Sequence, residues 1–232
     1  MQEPIASCDL RHGADARADS GPSWPSRAEE VANSLTHGVG LLASLVALPI
    51  LLMATTRGDG DAWQLTGSIV YGVSVILLYA ASTFYHALDE GRAKDVLRVL
   101  DHSAIYLLIA GSYTPFMLGA LRGPWGWSML AIIWTLAIIG IVGKCTLGFR
   151  FPWLSMAMYL GMGWLIVIAA RPLTANVPSA GLAWLLAGGL CYTGGVIFYA
   201  RDRRIRFGHA WWHLCVLGGS ACHYVAVLAY AV

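Results

Sequence analysis

Apolar runs about 20 residues long alternate with short polar stretches along most of this chain, and each run has the length a helix needs to cross a bilayer. Seven such runs are expected as helices at residues 35–56, 63–86, 99–121, 125–143, 153–171, 180–200 and 210–231. Residues 1–28 break the pattern. Arg11, His12, Asp15, Arg17, Asp19, Pro22 and Pro25 stand there among small residues, which reads as a disordered polar tail rather than a signal peptide. The loops between runs are too short to fold alone, so residues 29–232 are expected to form one membrane domain. The expected class is an all-α integral membrane protein, a seven-transmembrane helix bundle.

Composition agrees: 57% of the 232 residues are hydrophobic, 12% are charged, and mean hydropathy is +0.61. The net charge of +2 matters less than where the charges lie. Twelve of the fifteen Lys and Arg residues fall in the tail and in the loops after the second, fourth and sixth runs, while Arg57, Arg122 and Arg171 lie on the opposite side. The positive-inside rule then puts the N-terminus in the cytoplasm and the C-terminus outside, in a multi-pass protein of the cell membrane. Five cysteines without a Cys-x-x-Cys pair read as small core residues. Gly143-Lys144 lacks the glycine spacing of a phosphate loop, so neither nucleotide nor nucleic acid is an expected partner, whereas membrane lipids are. Nothing in the pattern fixes an oligomeric state.

Candidate chemistry gathers at the cytoplasmic ends of three runs. His209 and His213, four apart, share one helix face, which is a metal-ligand spacing. Ser82 and His86 have the same spacing at the end of the second run, and Asp101 opens the third beside His102. No Asp or Glu lies between Asp101 and Asp202, and no His between His102 and His209, so the fourth to sixth runs are scaffold or lipid and substrate wall. Three imidazoles with one water form a tetrahedral zinc site with an open position, and a carboxylate such as Asp101 within reach orients or deprotonates that water. Glu30, Asn33 and His37 stand at the start of the first run in a Glu-x-x-Asn-x-x-x-His spacing, read either as a polar helix start or as support behind the ligands. His223, deeper on the last run, is expected as a hydrogen-bonded core histidine, and His102 is expected to face away from Asp101. Gly111-Ser-Tyr-Thr-Pro115 is expected to kink the third run.

Four stretches in this order, "EEVANSLTHGVG", "STFYHAL", "LDHSAIYLLIAGSYTP" and "HAWWHLCVLGGSACHY", resemble the haemolysin III family, grouped with the progestin and adipoQ receptors. The resemblance covers about residues 29–232. It implies a seven-helix bundle with a cytoplasmic N-terminus and a zinc ion near the cytoplasmic face. Carried over by residue, it implies His86, His209 and His213 as zinc ligands, Asp101 as the carboxylate at the zinc-bound water, and Ser82 as a hydroxyl beside it. Similarity of this constellation to alkaline ceramidases implies a zinc-dependent hydrolase of lipid amides or esters. Two rival expectations are a sensor or receptor-like protein with a structural zinc, and a pore-forming, haemolytic protein. A pore calls for a polar stripe through the full depth of a helix, and the polar residues cluster at one end. Lys94 and Lys144 lie at loops, which leaves the last run without the amine a retinal Schiff base needs.

Overall fold

The computed structural model describes residues 25–58 and 60–231. Most of the expected tail, residues 1–24 with His12, therefore lies outside the described residues. The first helix, α1 (Arg27–Arg57), begins where Ser26 and Glu29 form a reciprocal capping box. That start precedes the apolar run because Asn33, at 1% exposure, is turned inward and helical structure carries it to the bundle interior. A second capping box, Asp61 with Gln64, opens α2 (Ala62–Ala87). Five further elements continue the chain: α3 (Arg92–Leu118), α4 (Pro124–Leu147), α5 (Pro152–Trp164), a 3-10 turn (Leu165–Ala169) and α6 (Ala170–Asn176). The last two are α7 (Ser179–Ala200) and α8 (Gly208–Tyr230), and no strand occurs among the described residues.

Six stretches are long and apolar enough to cross a membrane: α1, α2, α4, the joined α5 and α6, α7 and α8. The exception, α3, carries Arg92, Lys94, Asp95, Arg98 and Asp101 in its first turns, yet its later turns are the most thoroughly buried of the bundle. It packs against α2 and α4 and also meets α5 and α8; α2, α1, α8 and α7 follow one another around the bundle. Large apolar side chains such as Leu35, Val39, Leu42 and Val46 are exposed on the outer face of α1, a coat suited to lipid. Close contact within the bundle depends on small residues. A Cβ on Gly67 would lie 2.8 Å from Pro115 Cα, so α2 and α3 meet through bare backbone there.

The expected fifth run is broken where the 3-10 turn replaces the α-helix. Tyr113 of α3 compensates: its hydroxyl donates to Met162 O at 2.7 Å and accepts from Ile166 N at 2.9 Å. Beside this break lies a cavity of about 390 Å³, partly open to the outside and lined mainly by α3, α5, α6, α7 and α8. Its lining runs on α3 from Asp101 to Met117, about 24 Å at 1.5 Å per residue, and the walls are mainly apolar.

Candidate metal centre

The C-terminal end of α2 and the first turns of α8 meet at the head of this cavity. His86 comes from α2; His209 and His213 come from α8 and lie one turn apart. Their candidate ligand nitrogens all lie within 4.8 Å of one another. The approach to α8 is tight, with Phe207 in the left-handed region at φ 57 and its amide donating to Glu29 Oε1 at 3.2 Å. That contact ties the start of α8 to the start of α1.

Outer partners hold one nitrogen of His86 and of His213, and a carboxylate faces one nitrogen of His209 from farther off. His86 Nδ1 lies 2.5 Å from Glu30 Oε2, while His86 Nε2 is buried without a hydrogen-bond partner. His213 Nδ1 lies 3.1 Å from both Asn33 O and Thr36 Oγ1. Thr36 already donates its hydroxyl proton to backbone carbonyls at 2.9 Å, so His213 must carry the proton on Nδ1 and keep the lone pair on Nε2. His209 Nδ1 faces Asp202 Oδ2 at 3.8 Å. A histidine that gives its outer nitrogen to a carboxylate or carbonyl and keeps its inner one free is arranged as metal ligands are. An orphaned buried Nε2 among three imidazoles fits an ion such as zinc, which takes neutral nitrogen donors in tetrahedral sites.

The other sequence-derived candidates fall around this cluster. Asp101, 8% exposed, lines the cavity together with His209 and His213. Ser82, fully buried one turn before His86, has a hydroxyl with no hydrogen-bond partner. Glu30 reaches His86 directly; Asn33 acts through its carbonyl, with its side-chain Oδ1 unpartnered. His37 stacks flat on His213, with ring centroids 3.5 Å apart and planes inclined by 12°, and neither of its ring nitrogens has a partner. His223 behaves as a core histidine, with Nε2 3.3 Å from Leu185 O. Contrary to expectation, His102 does not turn away: its Nδ1 lies 3.6 Å from Asp101 Oδ2, and it lines the same cavity.

Sequence reasoning passed over Thr36, Lys94 and Asp202. Lys94 sits buried inside α3 rather than at a loop, donating to Glu30 Oε1 at 2.7 Å and to Leu88 O at 3.0 Å. Asp202 is the single acid in the arginine-rich connection before α8, and that isolation was its signal.

With this geometry in hand, comparison with known proteins is specific. A family model described as "Haemolysin-III related" matches residues 26–224. The chain is 48% identical over 204 residues to the Hemolysin-3 homolog of Bacillus subtilis, covering 88% of this chain and 95% of that one. It has the same identity over 204 residues to Hemolysin-3 of Bacillus cereus, covering 88% and 92%. Human Monocyte to macrophage differentiation factor is 30% identical over 228 residues, covering 95% and 91%.

Proposed function

The chain belongs to the haemolysin III family and is a multi-pass protein of the cell membrane, and from that premise we propose that it is a zinc-dependent hydrolase of lipid amides or esters. In this reading α3 is the seventh span, the N-terminus is cytoplasmic and the C-terminus lies outside. The distribution of Lys and Arg supports that orientation. The observation that carries the proposal is the His86, His209 and His213 cluster, with an orphaned Nε2 on His86, two of whose members, His209 and His213, line a long apolar cavity together with Asp101.

His86, His209 and His213 would hold the ion, with Glu30, Asn33 and Asp202 orienting their rings. When bound, zinc supplies Lewis acidity toward a carbonyl or a water molecule. Asp101 accepts a proton at a carboxylate oxygen as water attacks the lipid carbonyl, then returns it to the leaving group. Ser82 has a free hydroxyl to donate to the developing oxyanion or to Asp101. The apolar wall from Ile105 to Met117 excludes water and aligns an acyl chain below the reacting carbonyl. Replacing Asp101 by Asn should leave the metal content unchanged and abolish hydrolysis of fluorogenic lipid amides and esters. Full turnover in that variant sinks the mechanism.

A second reading has an observation of its own. α2 and α8 each pack strongly on α1, and the three histidines would join them through one ion. Such an ion would staple the bundle of a non-enzymatic, receptor-like protein. Physiological activity that survives Asp101→Asn but is lost in His213→Ala favours this reading. The pore-forming reading, to which the names of the Bacillus relatives correspond, finds little support in a cavity whose walls are mainly apolar.

A further inference from the structure

The chain has two lysines, and the fold buries both at the same end of the bundle, one at the start of α3 and one at the end of α4. Lys94 is neutralised: Glu30 Oε1 lies 2.7 Å from its Nζ, and Glu90 Oε1 lies 3.8 Å away. Lys144 is treated differently. At 3% exposure it makes no ion pair or hydrogen bond among the described residues, and its Nζ sits 4.6 Å from the centre of the Phe149 ring.

A second cation covers the same ring. Arg98 of α3 is exposed, and its guanidinium carbon stands 4.1 Å from the centre of Phe149. His102 meets that ring edge-on at 4.8 Å, so the Phe149 ring is surrounded by groups that carry or accept positive charge. Gly148, in the left-handed region at φ 61, closes α4 and precedes Phe149. An aromatic face offsets part of one cation's charge, and two cations sharing one ring repel each other. Among the described residues, neither Lys144 nor Arg98 has an ion-pair partner. The sequence has no Asp or Glu between Asp101 and Asp202, so α4 to α7 have none to give. Asp95 and Asp101 flank Arg98 on α3, but neither pairs with it, and Asp101 lines the cavity instead.

Position supplies the remaining argument. Leu147, Phe151 and Trp153, within four residues of Phe149 in sequence, are 45%, 46% and 68% exposed, and exposed apolar and tryptophan side chains near basic ones mark a membrane–water interface. We propose that the exposed Arg98 binds a phosphate group, supplied by the headgroup of an anionic phospholipid in the adjoining leaflet, and that the buried Lys144, against the same Phe149 ring, strengthens the site through its charge. The guanidinium takes phosphate oxygens as a planar fork, the ammonium adds a point charge, and the acyl chains lie along the apolar flank. Phosphate binding here requires neither the metal nor hydrolytic activity, although His102 lies against both Phe149 and Asp101.

The test uses the full-length protein purified in a neutral detergent, with its unfolding midpoint measured on adding phosphatidylglycerol, phosphatidylcholine or inorganic phosphate. Phosphatidylglycerol should raise the wild-type midpoint more than phosphatidylcholine does. Arg98→Gln should lose that difference and Lys144→Met should lessen it, while Arg171→Gln, at the other end of the bundle, keeps it. In phosphatidylcholine alone, Lys144→Met should be at least as stable as wild type, because it removes an uncompensated buried cation. If Lys144→Met does not fold, the exposed Arg98→Gln carries the test. An undiminished phosphatidylglycerol response in both variants, or an equal loss in Arg171→Gln, overturns the site. Full stabilisation by inorganic phosphate with nothing added by phosphatidylglycerol overturns the lipid source.

Discussion

Replacing Glu30 with Gln keeps the shape of the side chain but removes the charge that lies 2.5 Å from His86 Nδ1 and 2.7 Å from Lys94 Nζ. Two separate losses should follow. With its outer partner weakened, His86 is a poorer and less well oriented ligand, which typically lowers metal affinity 10- to 100-fold, roughly 1.4 to 2.8 kcal/mol. Lys94 is also left buried without its closest anion. Breaking a buried pair costs roughly 3–5 kcal/mol, and the lower figure is the relevant limit here. Glu30 is 17% exposed and Glu90 lies 3.8 Å from Lys94, so water and a second carboxylate share the load. The double variant Glu30→Gln, Lys94→Met separates the losses: it removes the stranded ammonium and should recover stability without recovering affinity. Affinity is read by competition with a coloured zinc chelator, and stability by thermal unfolding of the metal-stripped protein in detergent. Wild-type affinity in Glu30→Gln, or recovery of both quantities in the double variant, refutes the reasoning.

Tyr113→Phe should destabilise the protein by roughly 1–3 kcal/mol, because it strands the buried backbone groups that its hydroxyl satisfies at the break after α5; an unchanged unfolding midpoint contradicts that role. At the opposite end of the bundle, the Arg122 guanidinium, together with the Gln64 amide, holds the Asp61 carboxyl below the usual carboxylate range. A depressed folded-state value means that the contribution is present above about pH 4 and is lost as pH falls through that depressed value. Between pH 6 and pH 3 the wild-type midpoint should therefore fall further than that of Asp61→Asn, which keeps an N-cap side chain without the titratable charge.

The bundle was legible wherever a helix faces lipid, because lipid demands a long apolar run. It was less legible where a helix faces inward. α1 begins at Arg27 rather than at residue 35 since Glu30 and Asn33 count against a span in hydropathy yet reach the histidines, Glu30 at His86 and Asn33 at His213. The break at Leu165–Ala169 has Gly163 just before it and Pro172 just after it, signals the hydropathy of the run outweighed, and its compensation comes from Tyr113, far off in sequence. For the candidate site, four-residue spacings brought His209 to His213 and Ser82 to His86, and shared depth brought them together with Asp101. What spacing does not carry is the partner on the far side of each ring. Glu30 was visible as a polar residue near the right depth, but Lys94 and Asp202 looked like ordinary loop charges until α3 and α8 were packed.

The central claim is that His86, His209 and His213 hold zinc. Elemental analysis of the detergent-purified protein tests it most directly, beside the double variant His209→Ala, His213→Ala with its fold checked by circular dichroism. The account predicts about one zinc per wild-type chain and none in the folded variant. A folded wild type that carries no zinc and refuses added zinc contradicts it.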